Sequence, residues 1–180
     1  MEIEYKWTIE DDVLKDSFGK LGIDDKFFPV FKERALYRLN DIVSGELIPE
    51  DIDDSIETTS EYIIEYANQI KGGMSEVYAH AYAYAFNMGF QEVDCVIFAK
   101  AYECAIAHGQ DKTEAFCFGD FCSEASNQGY WLNLEEFVER FHEDWQKDFY
   151  IDLVRQEYEQ VHHSPMPESN YEILKGKLYE

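Results

Sequence analysis

Three glycines, Gly89, Gly109 and Gly129, recur every twenty residues in the middle of the chain. A fixed period of this kind indicates one supersecondary unit that is repeated along the chain. The intervening segments are rich in alanine and aromatic residues, and each is long enough for a helix of about four turns that ends at its glycine. Because only tight turns separate these helices, we expect neighbouring helices to run antiparallel.

Aligning the chain on these glycines brings similar residues into register. The two clearest columns are the aromatic column Tyr78, Phe98 and Phe118 and the alanine column Ala85, Ala105 and Ala125. At helical spacing beside alanines, these aromatic residues are interpreted as core rather than as the lining of a ligand cavity. Residues 81–86 also alternate with the period of a strand, but their alanine content and the neighbouring repeats favour a helix.

The remaining segments also predict helices, and the expected fold class is all-α. We expect an antiparallel helical bundle with a repeat of about twenty residues in the middle and short helices in the N-terminal part. The expected parts are an acidic helical part, a repeat core, a long broken helix and a tail that docks on the core, together forming a single domain. Their bounds are 1–70, 71–130, 131–163 and 164–180.

The long helical segment carries two apolar stripes that point in different directions. Phe137 and Phe141 belong to the first stripe, and Ile151 and Val154 belong to the second. The second stripe is turned by more than a right angle, so a straight helix cannot bury both stripes against one surface. The sequence therefore predicts a break near Lys147–Tyr150, or a continuous helix that packs against two partners.

The four cysteines, Cys95, Cys104, Cys117 and Cys122, contain no Cys-x-x-Cys pair. This spacing argues against a zinc site. All four lie in apolar or alanine-rich context, so we interpret them as reduced core residues of a cytoplasmic protein. The sequence predicts neither a membrane span nor a signal peptide.

The chain has a formal net charge of -23, from 38 acidic and 15 basic residues. This charge far exceeds the magnitude of roughly 2–8 that keeps a small domain soluble. Such a field repels phosphate backbones and anionic membranes, and it attracts basic surfaces. We therefore expect no direct binding of nucleic acid or membrane, and we expect a basic protein as the partner.

The acidic residues are concentrated in stretches. The segment 46–70 contains no Lys or Arg, and its acidic, proline-containing part 46–57 is predicted to be a loop before a helix. Within that helix, Glu57, Glu61 and Glu65 are spaced to share one face. The predicted partner-binding residues are Glu46, Glu50, Asp51, Asp53, Asp54, Glu57, Glu61, Glu65, Asp144 and Asp148. The alternative interpretation is that such rows form an ordinary solvated acidic surface without a binding role.

No catalytic signature supports an enzyme, and the sequence predicts no catalytic residue, metal or cofactor. Two Glu-x-x-His pairs, Glu139 with His142 and Glu159 with His162, have the spacing found in di-iron bundles. They lie in one helical segment, and glutamate-rich helices produce this spacing by chance, so the metal hypothesis is the weaker one.

Three function hypotheses follow from these patterns. The first is an inhibitor that mimics nucleic-acid charge and blocks a nuclease or other nucleic-acid-binding enzyme. In charge and length the chain is similar to phage anti-CRISPR inhibitors and bacterial nuclease-immunity proteins, although it carries no motif of either group. The second is a helical-repeat scaffold that binds a peptide or partner helix. The third is a metal- or carboxylate-dependent enzyme. The aromatic-rich repeats also offer a surface for a homodimer.

Overall fold

The computed structural model describes residues 5–179 and confirms the all-α fold class. Within this part the chain forms nine α-helices and one short 3-10 turn, and it forms no strand. The chain divides into two compact units, an N-terminal unit, Met1–Cys95, and a C-terminal unit, Val96–Glu180. Each unit contains a hydrophobic core of its own.

The helices follow one another with short connections. Those of the N-terminal unit are α1 (Asp11–Gly19), α2 (Phe28–Ile42), α3 (Pro49–Lys71) and α4 (Glu76–Asn87). The boundary between the units falls within α5 (Glu92–Ala107). Those of the C-terminal unit are α6 (Lys112–Gln128), α7 (Leu134–Arg140), α8 (Asp144–His162) and α9 (Glu168–Tyr179). Across residues 5–179, no helix combines the length and the apolar composition that a membrane span requires.

The core of the N-terminal unit forms where α3 packs against α2 and α4. Helix α2 buries Phe31, Ala35 and Leu39, one turn apart on one face, as the helical spacing predicts. Small residues allow α2 and α3 to approach closely at Ala35 and Ser55. The Ser55 hydroxyl of α3 donates a hydrogen bond of 2.7 Å to the Ala35 carbonyl of α2. Both residues are fully buried, so this contact fixes α3 against α2.

The predicted loop before α3 is mostly helical, which corrects the expectation of short helices in the N-terminal part. Helix α3 begins at Pro49 and, with 23 residues, is the longest helix of the described part. Proline suits the first position of a helix, where its missing N–H costs nothing. The Asp51 carboxylate accepts a hydrogen bond of 3.0 Å from the Ile48 N–H, and negative charge is favoured at a helix N-terminus. The residues that suggested a loop are thus the residues that start this helix.

Each of the three periodic glycines follows the end of a helix. Gly89, Gly109 and Gly129 have φ angles of 84°, 85° and 93°, which residues with a side chain rarely adopt. They come after α4, α5 and α6, in that order. Every residue of the aromatic and alanine columns is at most 5% exposed, in agreement with the interpretation of these residues as core. Residues 81–86 are helical within α4.

An aromatic cluster lies at the centre of the core of the C-terminal unit. The Tyr150 ring of α8 stacks on the Phe137 ring of α7 with 4.1 Å between centroids, and the Phe121 ring of α6 lies 5.9 Å from Phe137. The buried Tyr150 hydroxyl donates a hydrogen bond of 2.5 Å to the Tyr130 carbonyl, so its polar group is satisfied. Helix α9, formed by the C-terminal tail, contacts α8 and adds Leu174 to the same core.

The break in the long helical segment lies earlier than predicted. Helix α7 ends at Arg140 and α8 begins at Asp144, so the predicted break region, Lys147–Tyr150, lies inside α8. A capping box starts α8, since the Glu143 N–H donates to Gln146 Oε1 at 3.0 Å. Glutamate is not among the residues preferred as an N-cap, which is why this start is hard to recognise in the sequence.

The four cysteines are free thiols in different environments. Cys95 and Cys122 are buried, as predicted, and burial raises the pKa of both thiols, that of Cys95 to about 11. Cys104 is half-buried. Cys117 is exposed, so its assignment to the core is wrong, because it lies about 100° around the α6 axis from the buried Phe118.

Gly119, inside α6, lies directly against Phe98. A Cβ atom at this position would be 3.1 Å from ring atoms of Phe98 and 3.1 Å from its backbone oxygen. Replacing glycine by alanine in a helix interior ordinarily stabilises by about 1 kcal/mol. We expect Gly119→Ala to lower the free energy of unfolding by about 1–3 kcal/mol instead, because the backbone oxygen cannot rotate away. Urea unfolding followed by circular dichroism measures the change.

Gly45→Ala provides the matched control, since a Cβ there would meet no atom within 4 Å. We expect this control to change the free energy of unfolding by less than about 1 kcal/mol. A Gly119→Ala variant as stable as the parent chain would contradict the close contact with Phe98.

Candidate acidic interface

One face of α3 displays a row of carboxylates opposite the buried face of the helix. The acidic row consists of Glu50, Asp53, Asp54, Glu57, Glu61 and Glu65. At about 100° per residue, these side chains fall within a sector of roughly 120°. The buried Thr59 and Tyr66 lie on the opposite side. All members of the row are exposed except Glu65, which is half-buried.

The carboxylates of the acidic row have no cationic partner within residues 5–179. Elsewhere in the N-terminal unit, Asp16 pairs with Lys20 at 2.6 Å and Asp11 pairs with Lys32 at 2.7 Å. Like charges three or four residues apart on a helix destabilise it by about 0.2–0.5 kcal/mol per pair. The row therefore weakens α3, and the packing of the opposite face must offset that cost.

The contacts of α3 with its neighbours determine where the acidic row points. On the α4 side, the Asn87 side-chain amide donates a hydrogen bond of 2.9 Å to the Thr58 carbonyl. On the same side, His80 is hydrogen-bonded to the Tyr62 hydroxyl, and its ring centroid lies 4.5 Å from that of Tyr66. These contacts hold α3 in one rotational setting, so the backbone positions from which the carboxylates project are fixed.

An arginine of α2 also packs on the aromatic rings between α3 and α4. The Arg34 guanidinium of α2 lies 4.8 Å from the Tyr62 ring centroid and 5.8 Å from that of Tyr84. His80 itself is exposed, but it contacts two tyrosines of α3. No sequence pattern predicts this contact, because it depends on how α3 and α4 pack.

Two further acids predicted to bind a partner, Glu46 and Asp51, do not belong to the acidic row. Glu46 is exposed in the segment that precedes the helix. Asp51 is half-buried and accepts the Ile48 N–H in the capping box, so its carboxylate has a structural role. Of these two acids, Glu46 is the exposed one and has no such structural role, but it lies before α3 and outside the regular spacing of the acidic row.

Asp144 and Asp148 belong to the C-terminal unit, and both have partners there. Asp144 lies 3.8 Å from Lys147 Nζ. Asp148 accepts a hydrogen bond of 2.6 Å from the Tyr179 hydroxyl, which links α8 to α9. Burial and this carboxylate raise the pKa of Tyr179. Both aspartates thus have a neighbour within the unit, and their role in partner binding stays a prediction.

The two Glu-x-x-His pairs do not come together with further ligands. Glu139, His142, Glu159 and His162 are exposed, and the His162 ring packs on Tyr158 with 4.2 Å between centroids. In the described part of the chain, no group of three or more His, Cys, Asp or Glu side chains is arranged to hold a metal ion. The structure thus offers no support for the di-iron hypothesis.

Comparison of the chain with protein-family models, curated proteins and solved structures finds no match to any of them. The acidic row is therefore interpreted from its own geometry and charge.

Proposed function

We propose that this chain is an inhibitor that binds a basic nucleic-acid-handling protein through the acidic row of α3. The observation that carries the proposal is the row of six carboxylates that meets no cation among residues 5–179. From Glu50 to Glu65 the row extends ~22 Å, with one carboxylate every 4–5 Å or so. A single nucleic-acid strand carries one phosphate every ~3.4 Å, so the two charge densities are comparable.

The mechanism is electrostatic and steric. The net charge of -23 speeds the encounter with a basic surface, because complementary fields steer association at long range. Once bound, α3 occupies the channel that phosphates otherwise enter, and the helix keeps DNA or RNA out of it. The same charge repels nucleic acid and anionic lipid surfaces, so the proposed partner is a basic protein.

A capture experiment tests this function. The chain is immobilised and exposed to heparin-binding proteins of the source cell, and also to purified nuclease toxins and CRISPR effector nucleases. We expect at least one nuclease or other nucleic-acid-binding protein to be retained at 50 mM NaCl, and double-stranded DNA to release it. We also expect retention to fall at least tenfold at 300 mM NaCl, because salt screens the contact between carboxylates and cations.

The retained protein is then assayed with labelled DNA. We expect a stoichiometric amount of the chain to abolish its DNA binding, measured by fluorescence anisotropy. Retention of no basic protein, or retention that neither DNA nor salt reduces, would contradict charge mimicry.

A further inference from the structure

The C-terminal unit contains an open cavity of ≈ 350 Å³ that is separate from the acidic row. It lies among the first two turns of α6, the end of α7 and the first turn of α8. Its principal lining residues are Thr113, Glu114, Cys117, Arg140, Phe141 and Gln146. Phe141 is only 7% exposed, so its ring provides an apolar wall beside the polar groups.

Gln146 is a largely buried polar side chain whose donor group meets no acceptor among residues 5–179. The residue is 8% exposed, and its Oε1 atom accepts the Glu143 N–H at 3.0 Å in the capping box of α8. That bond fixes the orientation of the amide, so the Nε2 atom points away from the Glu143 N–H. Among the described residues, Nε2 has no hydrogen-bond acceptor. Nε2 is not enclosed by protein, because Gln146 lines the cavity, so this donor is accessible to a ligand that enters it. A charged acceptor such as a carboxylate forms the stronger kind of hydrogen bond with such a donor.

Arg140 adds a positive charge to the same cavity. One guanidinium nitrogen, Nη1, donates to Glu136 at 3.0 Å, and the group lies over the rings of Phe121 and Phe141, 5.2 Å and 5.5 Å from their centroids. These contacts hold the guanidinium in place and leave further N–H groups for a ligand. The planar arrangement of arginine donors matches a carboxylate.

We propose that this cavity binds a small molecule through a carboxylate group held by Gln146 Nε2 and Arg140, with the rest of the ligand against Phe141. The acid that lines the cavity, Glu114, is engaged in the capping box of α6, where its Oε2 accepts the Asp111 N–H at 3.2 Å. This proposal concerns only residues of the C-terminal unit and does not depend on the inhibitor function.

Nuclear magnetic resonance of the full chain tests the proposal with acetate, succinate and benzoate as probes. Benzamide is the neutral match of benzoate, with the same ring and no carboxylate. We expect at least one carboxylate to shift the Gln146 side-chain amide resonance saturably, and benzamide to bind at least tenfold more weakly than benzoate. The proposal is overturned when none of the three carboxylates shifts this resonance up to 50 mM, or when benzamide binds as tightly as benzoate.

Three variants separate the proposed contacts from general effects. Gln146→Glu keeps an acceptor for the Glu143 N–H but replaces the free donor by an oxygen, and we expect it to abolish carboxylate binding. Arg140→Gln should weaken binding at least fivefold. Arg155→Gln removes the same charge from an exposed position of α8 and should bind within twofold of the parent chain. Full binding by Gln146→Glu, or equal losses from the two arginine changes, would overturn the assignment.

The exposed thiol of Cys117 provides an independent measurement, because it lines the same cavity. We expect the carboxylate that binds to slow alkylation of Cys117 by iodoacetamide at least threefold in the parent chain. In Gln146→Glu the same carboxylate should leave the rate unchanged. Equal protection in both proteins would place the ligand elsewhere and overturn the proposal.

Discussion

Replacing Asp53, Glu57 and Glu61 by Asn, Gln and Gln is expected to abolish capture of the basic partner and at the same time stabilise the fold. The three side chains are exposed on the acidic row and have no cationic partner among the described residues. Their removal eliminates five like-charge pairs at spacings of three or four residues. We therefore expect the free energy of unfolding to rise by about 1–2 kcal/mol at low salt. Urea unfolding and the capture assay measure the two effects.

The matched control replaces Asp16, Asp25 and Asp41 by Asn, three exposed carboxylates of the same unit that lie outside α3. Both triple variants change the net charge from -23 to -20, since each removes three negative charges. Asp16 and Asp41 are within 2.6 Å and 3.7 Å of Lys20 and Arg38, so the control should not gain stability. We expect it to retain at least half of the capture. Equal loss of capture in both variants would show that net charge, rather than the acidic row, binds the partner.

Phe137→Ala is expected to lower the free energy of unfolding of the C-terminal unit by about 3–5 kcal/mol. The Phe137 side chain is fully buried, and its ring centroid lies 4.1 Å from that of Tyr150 and 5.2 Å from that of Phe141. Its removal eliminates apolar burial and leaves a cavity that these rings cannot fill without moving. Thermal and urea unfolding, followed by near-ultraviolet circular dichroism of the aromatic cluster, measure the loss.

Leu132→Ala is the control for this substitution. Leu132 lies in the turn before α7 and is 83% exposed, so we expect a change within about 0.5 kcal/mol. A loss below about 1 kcal/mol for Phe137→Ala would contradict the central position of this ring in the core.

Local patterns were sufficient for the fold class and for several helix ends. Gly109 and Gly129 follow helix ends because the backbone there adopts a positive φ, a local property that glycine signals. The start of α3 was missed because proline and acidic residues are typical both of loops and of the first turn of a helix. The deciding features were the Asp51 cap and the packing of Ser55 on Ala35, and the second of these is a contact between helices.

The sequence predicted the acidic row but not the cavity. Glu57, Glu61 and Glu65 are four residues apart, so helical geometry alone places them on one face. The cavity instead brings together Cys117 and Gln146, which are distant in the chain, and its shape depends on where α7 ends. The capping box that starts α8 begins with Glu143, which is not a preferred N-cap residue, so the sequence pattern did not reveal where α8 starts.

The packing of α3 on both of its neighbours has a consequence for how tightly the proposed partner would be bound. A disordered acidic tail loses roughly 1–2 kcal/mol of backbone entropy for each residue that becomes ordered on binding. In α3 that loss occurs during folding, because Ser55 and Thr58 are hydrogen-bonded to α2 and α4 before any partner arrives. In the proposed complex the carboxylates would project from a helix that is already ordered. We therefore expect a partner to be selected by whether its cations match the spacing of a helix rather than by its charge alone.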